Sequence, residues 1–304
     1  MVYAILASLF FSIFTFVAKY IIAKKMSSFI SFVYLQGILI VVLFPILSYI
    51  IAPKEIVLPP VEIVPYAYIS GGTSIVAYLL MYYGLSKYDA SSAAPIVGVK
   101  PIFVIPLSYI FLGEFYGFDV VAWILLAMVG AIMTTWDETI RPRQLFSLRN
   151  KALWIFLVTA LLYTAGNVAV KPAVKLISNY NFLIWREFGW FVVLLALTPL
   201  IFREEDWESL RREWKGALWA VLLAVLLQYF SYSLIFYAFG YSVQIAEGLG
   251  GISGLFAVAT GFILSKTNSK SILEKHAGKI YLVRAIGAIL ILFGIYELSF
   301  VLVK

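Results

Sequence analysis

Thr15-Phe16-Val17-Ala18-Lys19 returns in altered form as Asn167-Val168-Ala169-Val170-Lys171. Further along, Tyr82-Tyr83-Gly84-Leu85 is answered by Phe236-Tyr237-Ala238-Phe239, and Val129-Gly130-Ala131-Ile132 by Ile286-Gly287-Ala288-Ile289. The offset stays at roughly 150 residues, so the chain reads as one unit written twice, with ionisable residues at matching depths in both copies.

The unit is a membrane unit. Hydrophobic residues make up 63% of the chain and charged residues only 13%, against about 25% charged in soluble domains; mean hydropathy is +0.97. The net charge of +7 is spread over short loops rather than gathered on one face, which gives no support to nucleic-acid binding. Cysteine is absent, removing disulfides, thiolate metal sites and thiol nucleophiles together. The apolar stretch after Met1 is long, lacks a basic leader and carries Lys19, so no cleavable signal peptide is expected.

Apolar runs near the ~20 residues that cross a bilayer fall at Val2–Ala23, Phe29–Ala52, Val64–Ser86, Ala90–Leu112 and Gly117–Trp136. In the second half they fall at Ala152–Val174, Phe182–Phe202, Gly216–Phe239, Ser242–Ser265 and Ile280–Val303. Each must be helical, because lipid offers no partner to unpaired backbone groups. The expected fold is thus an all-α integral membrane protein of ten transmembrane helices. Five spans per copy is an odd number, so the copies face opposite ways: a 5+5 inverted repeat. The first repeat takes residues 1–137, a polar loop residues 138–151, and the second repeat residues 152–304. Trp136, Trp154, Trp207, Trp214 and Trp219 lie near span ends as interfacial anchors. Lys and Arg concentrate in the odd-numbered loops, which places those loops in the cytoplasm and both termini outside. Duplicated membrane halves are a common build of secondary transporters, whose site lies near the midplane between them.

Several residues draw attention. Lys100 sits in the middle of the fourth span, where a charge costs about 2.5–3.5 kcal/mol or more. Around it Pro95, Pro101 and Pro106 interrupt the helical hydrogen bonding. The ninth span carries Gly250, Gly251 and Gly254 at the corresponding place, and such paired breaks point to gates and a site. Glu247, with Gln244, is placed to be the counter-ion of Lys100, a proton carrier, a ligand for a substrate ammonium, or an interfacial carboxylate. Ser8, Ser12, Thr15 and Lys19 share one face of the first span; Thr164, Asn167, Lys171 and Lys175 repeat the stripe in the sixth. Both stripes are expected to face a cavity, with snorkelling the alternative for the lysines. Arg186 and Glu187 point about 100° apart on the seventh helix, so each is expected to need its own partner. Gln36 occupies the equivalent region of the second span. Tyr78 and Tyr232 match across the copies, as do Ser74 and Gln228. Gly130 and Gly287 suit close helix packing.

The segment Tyr83–Ile132 resembles the EamA domain of the drug/metabolite transporter superfamily. The resemblance rests on Ala90-Ser91-Ser92-Ala93-Ala94-Pro95, Pro101, Phe111-Leu112-Gly113-Glu114 and Gly130, with Lys19 and Lys171. It implies a carrier of small metabolites such as amino acids, sugars and aromatic compounds, with a cavity built by the first four helices of each half. It also implies cytoplasmic termini, opposite to the charge count. The second copy departs from the pattern, with Leu255 in place of Pro101 and Leu264-Ser265-Lys266 in place of Leu112-Gly113-Glu114.

The resulting expectation is a cell-membrane secondary transporter, monomeric or homodimeric, working by alternating access, with a small-molecule metabolite, the bilayer and a coupling proton as its partners. Lys19, Lys100, Lys171 and Arg186 outnumber the buried anions, which suggests an amino acid or other carboxylate-bearing solute, with a sugar phosphate or nucleotide-sugar as the alternative class. No cofactor and no metal are expected. An enzyme is disfavoured: His276 is the single histidine, and neither HExxH nor a nucleophile elbow occurs. A lipid-handling or scaffold subunit remains the competing class.

Overall fold

The computed structural model describes residues 2–88, 97, 100–113, 117–118, 122–123, 125–126, 129–130, 133, 151–241, 243–250, 252–266 and 278–301. Among these the regular structure is helical, with no strand. The helices are α1 (Val2–Lys24), α2 (Phe29–Ile51), α3 (Ile63–Lys87), α4 (Pro101–Leu112), α5 (Lys151–Val168), α6 (Val170–Val174), α7 (Asn179–Ile201), α8 (Glu204–Tyr241), α9 (Val243–Gly250), α10 (Ile252–Lys266) and α11 (Gly278–Val301), with a 3₁₀ turn at Pro53–Glu55. Among the described residues, six segments are long and apolar enough to cross a membrane: α1, α2, α3, α5 with α6, α7 and α8. The expected fourth span is described from Lys100 onward, with Val97 before it, and the expected fifth lies mostly outside the described residues, as do Pro95 and Gly251.

Local chemistry sets the helix ends. Ser28 caps α2, its hydroxyl accepting from the amides of Ile30 and Ser31, and Ser178 caps α7 by accepting from Asn181. Pro101 opens α4, where its missing N–H costs nothing, and Gly113 closes that helix with φ of 68°, a left-handed turn suited to glycine. The expected sixth span is broken at Ala169 into α5 and α6. Pro172 accounts for the break: it withholds the amide that Val168 would accept and crowds that carbonyl.

The expected eighth span, Gly216–Phe239, proves to be the inner part of a single 38-residue helix beginning at Glu204. The polar segment before it is helical because Glu204, Glu205 and Asp206 fill the first turn, where they oppose the helix dipole. Asp206 also accepts from the Arg203 amide at 2.8 Å. This extension is fastened to the α1–α2 loop. Ser28 donates to Asp206, Ser31 to the Asp206 carbonyl at 2.5 Å, and the Ser27 amide to Glu213 at 2.7 Å. Partial burial would raise the pKa of Glu213. Hydrogen bonds from Ser27, Arg212 and Ser209 outweigh it and hold the carboxyl at about 2.

α1 packs against α8 and α10, while α5 packs against α3 and α4; α2 lies against both α7 and α8. Phe14, Phe32, Tyr78, Tyr82, Phe156, Trp190 and Phe236 fill the centre. The polar face of α1 turns inward as expected, with Ser8, Ser12 and Thr15 buried. The opposite side of α2 exposes Ile38, Val42, Ile46 and Tyr49, an apolar stripe suited to lipid. At the periphery, a methyl added to Gly130 would meet the Gly287 carbonyl and, at 2.8 Å, the Ile291 amide nitrogen. Glycine at 130 is what permits that approach to α11.

Candidate functional site

α4 begins inside the bundle, and the residue before its first turn is Lys100. Its carbonyl accepts the amides of Phe103 and Val104 at 2.9 Å and the Thr164 hydroxyl at 3.3 Å, which fixes the backbone from which the side chain projects. The ammonium reaches Glu247 on α9, with Nζ 2.8 Å from Oε2. Glu247 is fully buried, whereas the Lys100 side chain keeps 18% of its surface. The other carboxylate oxygen accepts from Asn167 Nδ2 on α5. Three residues from three expected spans thus close one polar cluster, in which Glu247 has no exposed surface.

A cavity of about 40 Å³ opens beside the pair. Phe11, Lys100, Tyr163, Asn167, Ser231 and Tyr232 form much of its wall. At ~10–15 Å³ per water, it has room for a few waters and not for a metabolite. Gly250 and Ser253 complete the lining on the α9–α10 side. A methyl on Gly250 would come within 3.7 Å of Glu247 Oε2.

Behind the Tyr232 wall lies a second polar layer. Tyr232 and Tyr78 join their hydroxyls at 2.8 Å. The Arg186 guanidinium lies 4.4 Å from the Tyr232 ring centre and 5.3 Å from that of Phe236, within cation–π range. Arg186 donates to Ser70 at 3.1 Å, to Ser74 at 2.6 Å and to Glu187. Gln36 donates to Gln228 at 2.6 Å and accepts from Tyr82 at 2.8 Å.

Two expectations are corrected here. Arg186 and Glu187 pair with each other, while Arg186 also takes Ser70 and Ser74; the long arginine stem bends across the angle that separates their Cβ atoms. The surplus of buried cations also shrinks, because Lys100 and Arg186 each face a carboxylate. Lys19 stands apart from the central cavity. It donates to the carbonyls of Leu85 at 2.5 Å and Tyr88 at 2.9 Å, at the C-terminal end of α3 where a cation opposes the dipole. It lines a separate opening of about 380 Å³ with Ser27, Phe29, Tyr83 and Lys87.

Lys171 sits half-buried on α6 and is not among the residues that line the central cavity. Pro106 is exposed, Gly254 is buried on α10, and the side chains of Gln244 and Pro101 lie outside those described. Sequence reasoning missed Tyr163 and Ser70. Tyr163 lies four residues before Asn167, on the same helical face as the recognised stripe, so its place was readable. Ser70, one turn before Ser74 on α3, carries no comparable mark.

Residues 1–136 match the EamA-like transporter family. An uncharacterized protein of Methanocaldococcus jannaschii is 30% identical over 129 residues, which cover 42% of this chain and 90% of that protein. A solved crystal structure superposes with a TM-score of 0.60 over 99% of this chain and 96% of its own, at 13% identity. That likeness speaks to the fold alone.

Proposed function

Because this chain belongs to the EamA-like transporter family, we propose that it carries a small carboxylate-bearing solute across the cell membrane through the cavity beside Lys100 and Glu247. The observation that carries this reading is the ion pair itself, buried where residues of both sequence copies meet. A buried charge pair adds little to stability compared with apolar packing, so its retention needs another reason. A substrate carboxylate exchanging with Glu247 on Lys100 supplies one. An amino acid fits best among the carboxylates, since its ammonium would take the place that Lys100 leaves at Glu247.

The carrier is read as ten spans in two oppositely oriented repeats of five that rock against each other. The exchange of partners supports this: α1 lies against α8 and α10, and α5 against α3 and α4, the pairing that two interlocked copies give. Pro101, Pro106, Gly250 and Gly254 lie on α4, α9 and α10, which would serve as the gates around the cavity. With room for only a few waters at the centre, a solute would gain access by separation of the helices around it.

The test is solute flux in proteoliposomes with labelled amino acids, organic acids and sugar phosphates, comparing the unaltered chain with Lys100→Ala. Saturable counterflow of a carboxylate-bearing solute, abolished by the substitution, is the expected result. Flux of such a solute that survives the substitution removes Lys100 from the site. Absence of flux across the whole panel favours a lipid-handling role instead.

A further inference from the structure

The Lys100–Glu247 pair raises a question of charge that the carrier reading leaves open. With the pair intact, ammonium and carboxylate cancel, and the buried cluster bears no net charge. A carboxylate arriving at Lys100 adds a negative charge and strips Glu247 of its cation. Glu247 would then be a fully buried carboxylate with Asn167 Nδ2 as its donor. Buried ions in such positions are costly and are commonly neutralised by proton exchange.

Resting on the carrier reading above, we infer that Glu247 is the proton site, filled only when a substrate carboxylate takes its place on Lys100. The step balances. Water on the open side delivers a proton to a Glu247 carboxylate oxygen, the substrate carboxylate pairs with Lys100 Nζ, and the loaded cluster is again neutral. On release the substrate leaves Lys100, Glu247 returns its proton to water, and the ion pair re-forms. A solute with its own ammonium follows a different course. Its carboxylate goes to Lys100, its ammonium to Glu247, and no proton is needed. Coupling is therefore set by the charge of the solute.

The surroundings suit this role. Of the elements packed around α9, α4 offers Lys100, α5 offers Tyr163 and Asn167, and α8 offers Tyr232. α1 presents Ser8 and Phe11. α11, which also lies against α9, carries Tyr281 and Arg284, both buried. The cavity has room for a few waters beside Lys100 and Asn167, the two residues that hold the Glu247 carboxylate.

Two measurements on the detergent-solubilised full chain test the inference. In the first, infrared difference spectra are recorded at neutral pH for Lys100→Ala and Lys100→Gln. Withdrawing the cation is expected to produce a deuterium-sensitive protonated-carboxyl band that vanishes when Glu247→Gln is added. A folded Lys100 variant without that band overturns the inference, whatever is later found about transport. In the second, calorimetry in buffers of differing ionisation enthalpy follows binding of leucine and of 4-methylpentanoate, which is leucine without its amine. Uptake of a proton with 4-methylpentanoate but not with leucine, lost in Glu247→Gln, is the expected pattern. Binding of 4-methylpentanoate without proton uptake, or uptake that persists in Glu247→Gln, refutes it. Failure of the carrier reading would appear separately, as absent flux beside an unchanged infrared band.

Discussion

The guanidinium of Arg186 lies 4.4 Å from the centre of the Tyr232 ring, and that ring is a wall of the cavity that Lys100 also lines. Arg186 is fully buried and spends its donors on Ser70, Ser74 and Glu187. Removing it strands the Glu187 carboxylate, whose Oε2 already lacks a hydrogen-bond partner. Arg186→Met is expected to cost about 3–5 kcal/mol, read as a large fall in melting temperature in detergent. Arg186→Met with Glu187→Leu removes both charges and is expected to recover most of that loss. If the double variant is as unstable as the single one, the pair is not what the arginine serves.

Gln36 and Gln228 form a second junction between the sequence copies. Gln36→Leu leaves both the Gln228 carbonyl oxygen and the Tyr82 hydroxyl without their partner. Stranded buried groups cost about 1–3 kcal/mol each. A double-mutant cycle of Gln36→Leu with Gln228→Leu is therefore expected to give a combined loss smaller than the sum of the single losses. Strict additivity would place the two amides in independent environments.

Gly71 and Gly216 make opposite predictions. A methyl at Gly71 would strike the Arg186 carbonyl oxygen and, at 2.5 Å, the Trp190 amide nitrogen, both main-chain atoms of α7. Gly71→Ala is expected to destabilise the protein by about 1–3 kcal/mol by forcing α3 from α7. A methyl at Gly216 meets nothing within 4 Å, and alanine gains up to about 1 kcal/mol over glycine in a helix. Gly216→Ala is expected to raise the melting temperature slightly, and comparing the two curves checks both.

The Glu213 carboxyl, held at about 2, predicts a pH dependence. Its folded pKa lies below the ordinary carboxylate value of about 4.3. Its contribution is therefore complete above that value and is lost as pH falls through the range down to about 2. Between pH ~5 and pH ~3, the unaltered chain should lose more stability than Glu213→Gln does. Parallel losses in the two proteins would show that the Ser27–Glu213 contact contributes nothing in solution.

Matched positions were the most readable part of the sequence. Tyr78 and Tyr232, singled out only because they correspond across the two copies, meet through their hydroxyls at 2.8 Å. Lys100 and Glu247 were each marked by a charge in an apolar run, and burial drives such charges to find one another. The Arg186–Glu187 pair escaped because a helical projection treats side chains as rigid spokes, whereas arginine has a flexible stem. The outer turns of α8 escaped for a different reason. Hydropathy records where a chain leaves lipid, but a helix stops only where caps or breakers stop it, and neither intervenes between Glu204 and Tyr241. Lys19 carried the same polar signal as Asn167, yet it donates to the main-chain carbonyls of Leu85 and Tyr88 at the end of α3, which no side-chain pattern records.

The unbroken α8 has a mechanical consequence. Its 38 residues span about 57 Å, nearly twice the ~30 Å hydrocarbon thickness. Tyr232, beside the cavity, and Asp206, bonded to Ser28 and Ser31, therefore belong to one stiff rod. About 39 Å separates them along it, so a tilt of ~10° pivoting near Tyr232 would sweep Asp206 through about 7 Å. Hydrogen bonds near 2.5–3 Å do not survive such a sweep. Any swing of the rod relative to α1 and α2 would therefore be largest at the end that holds the loop between them.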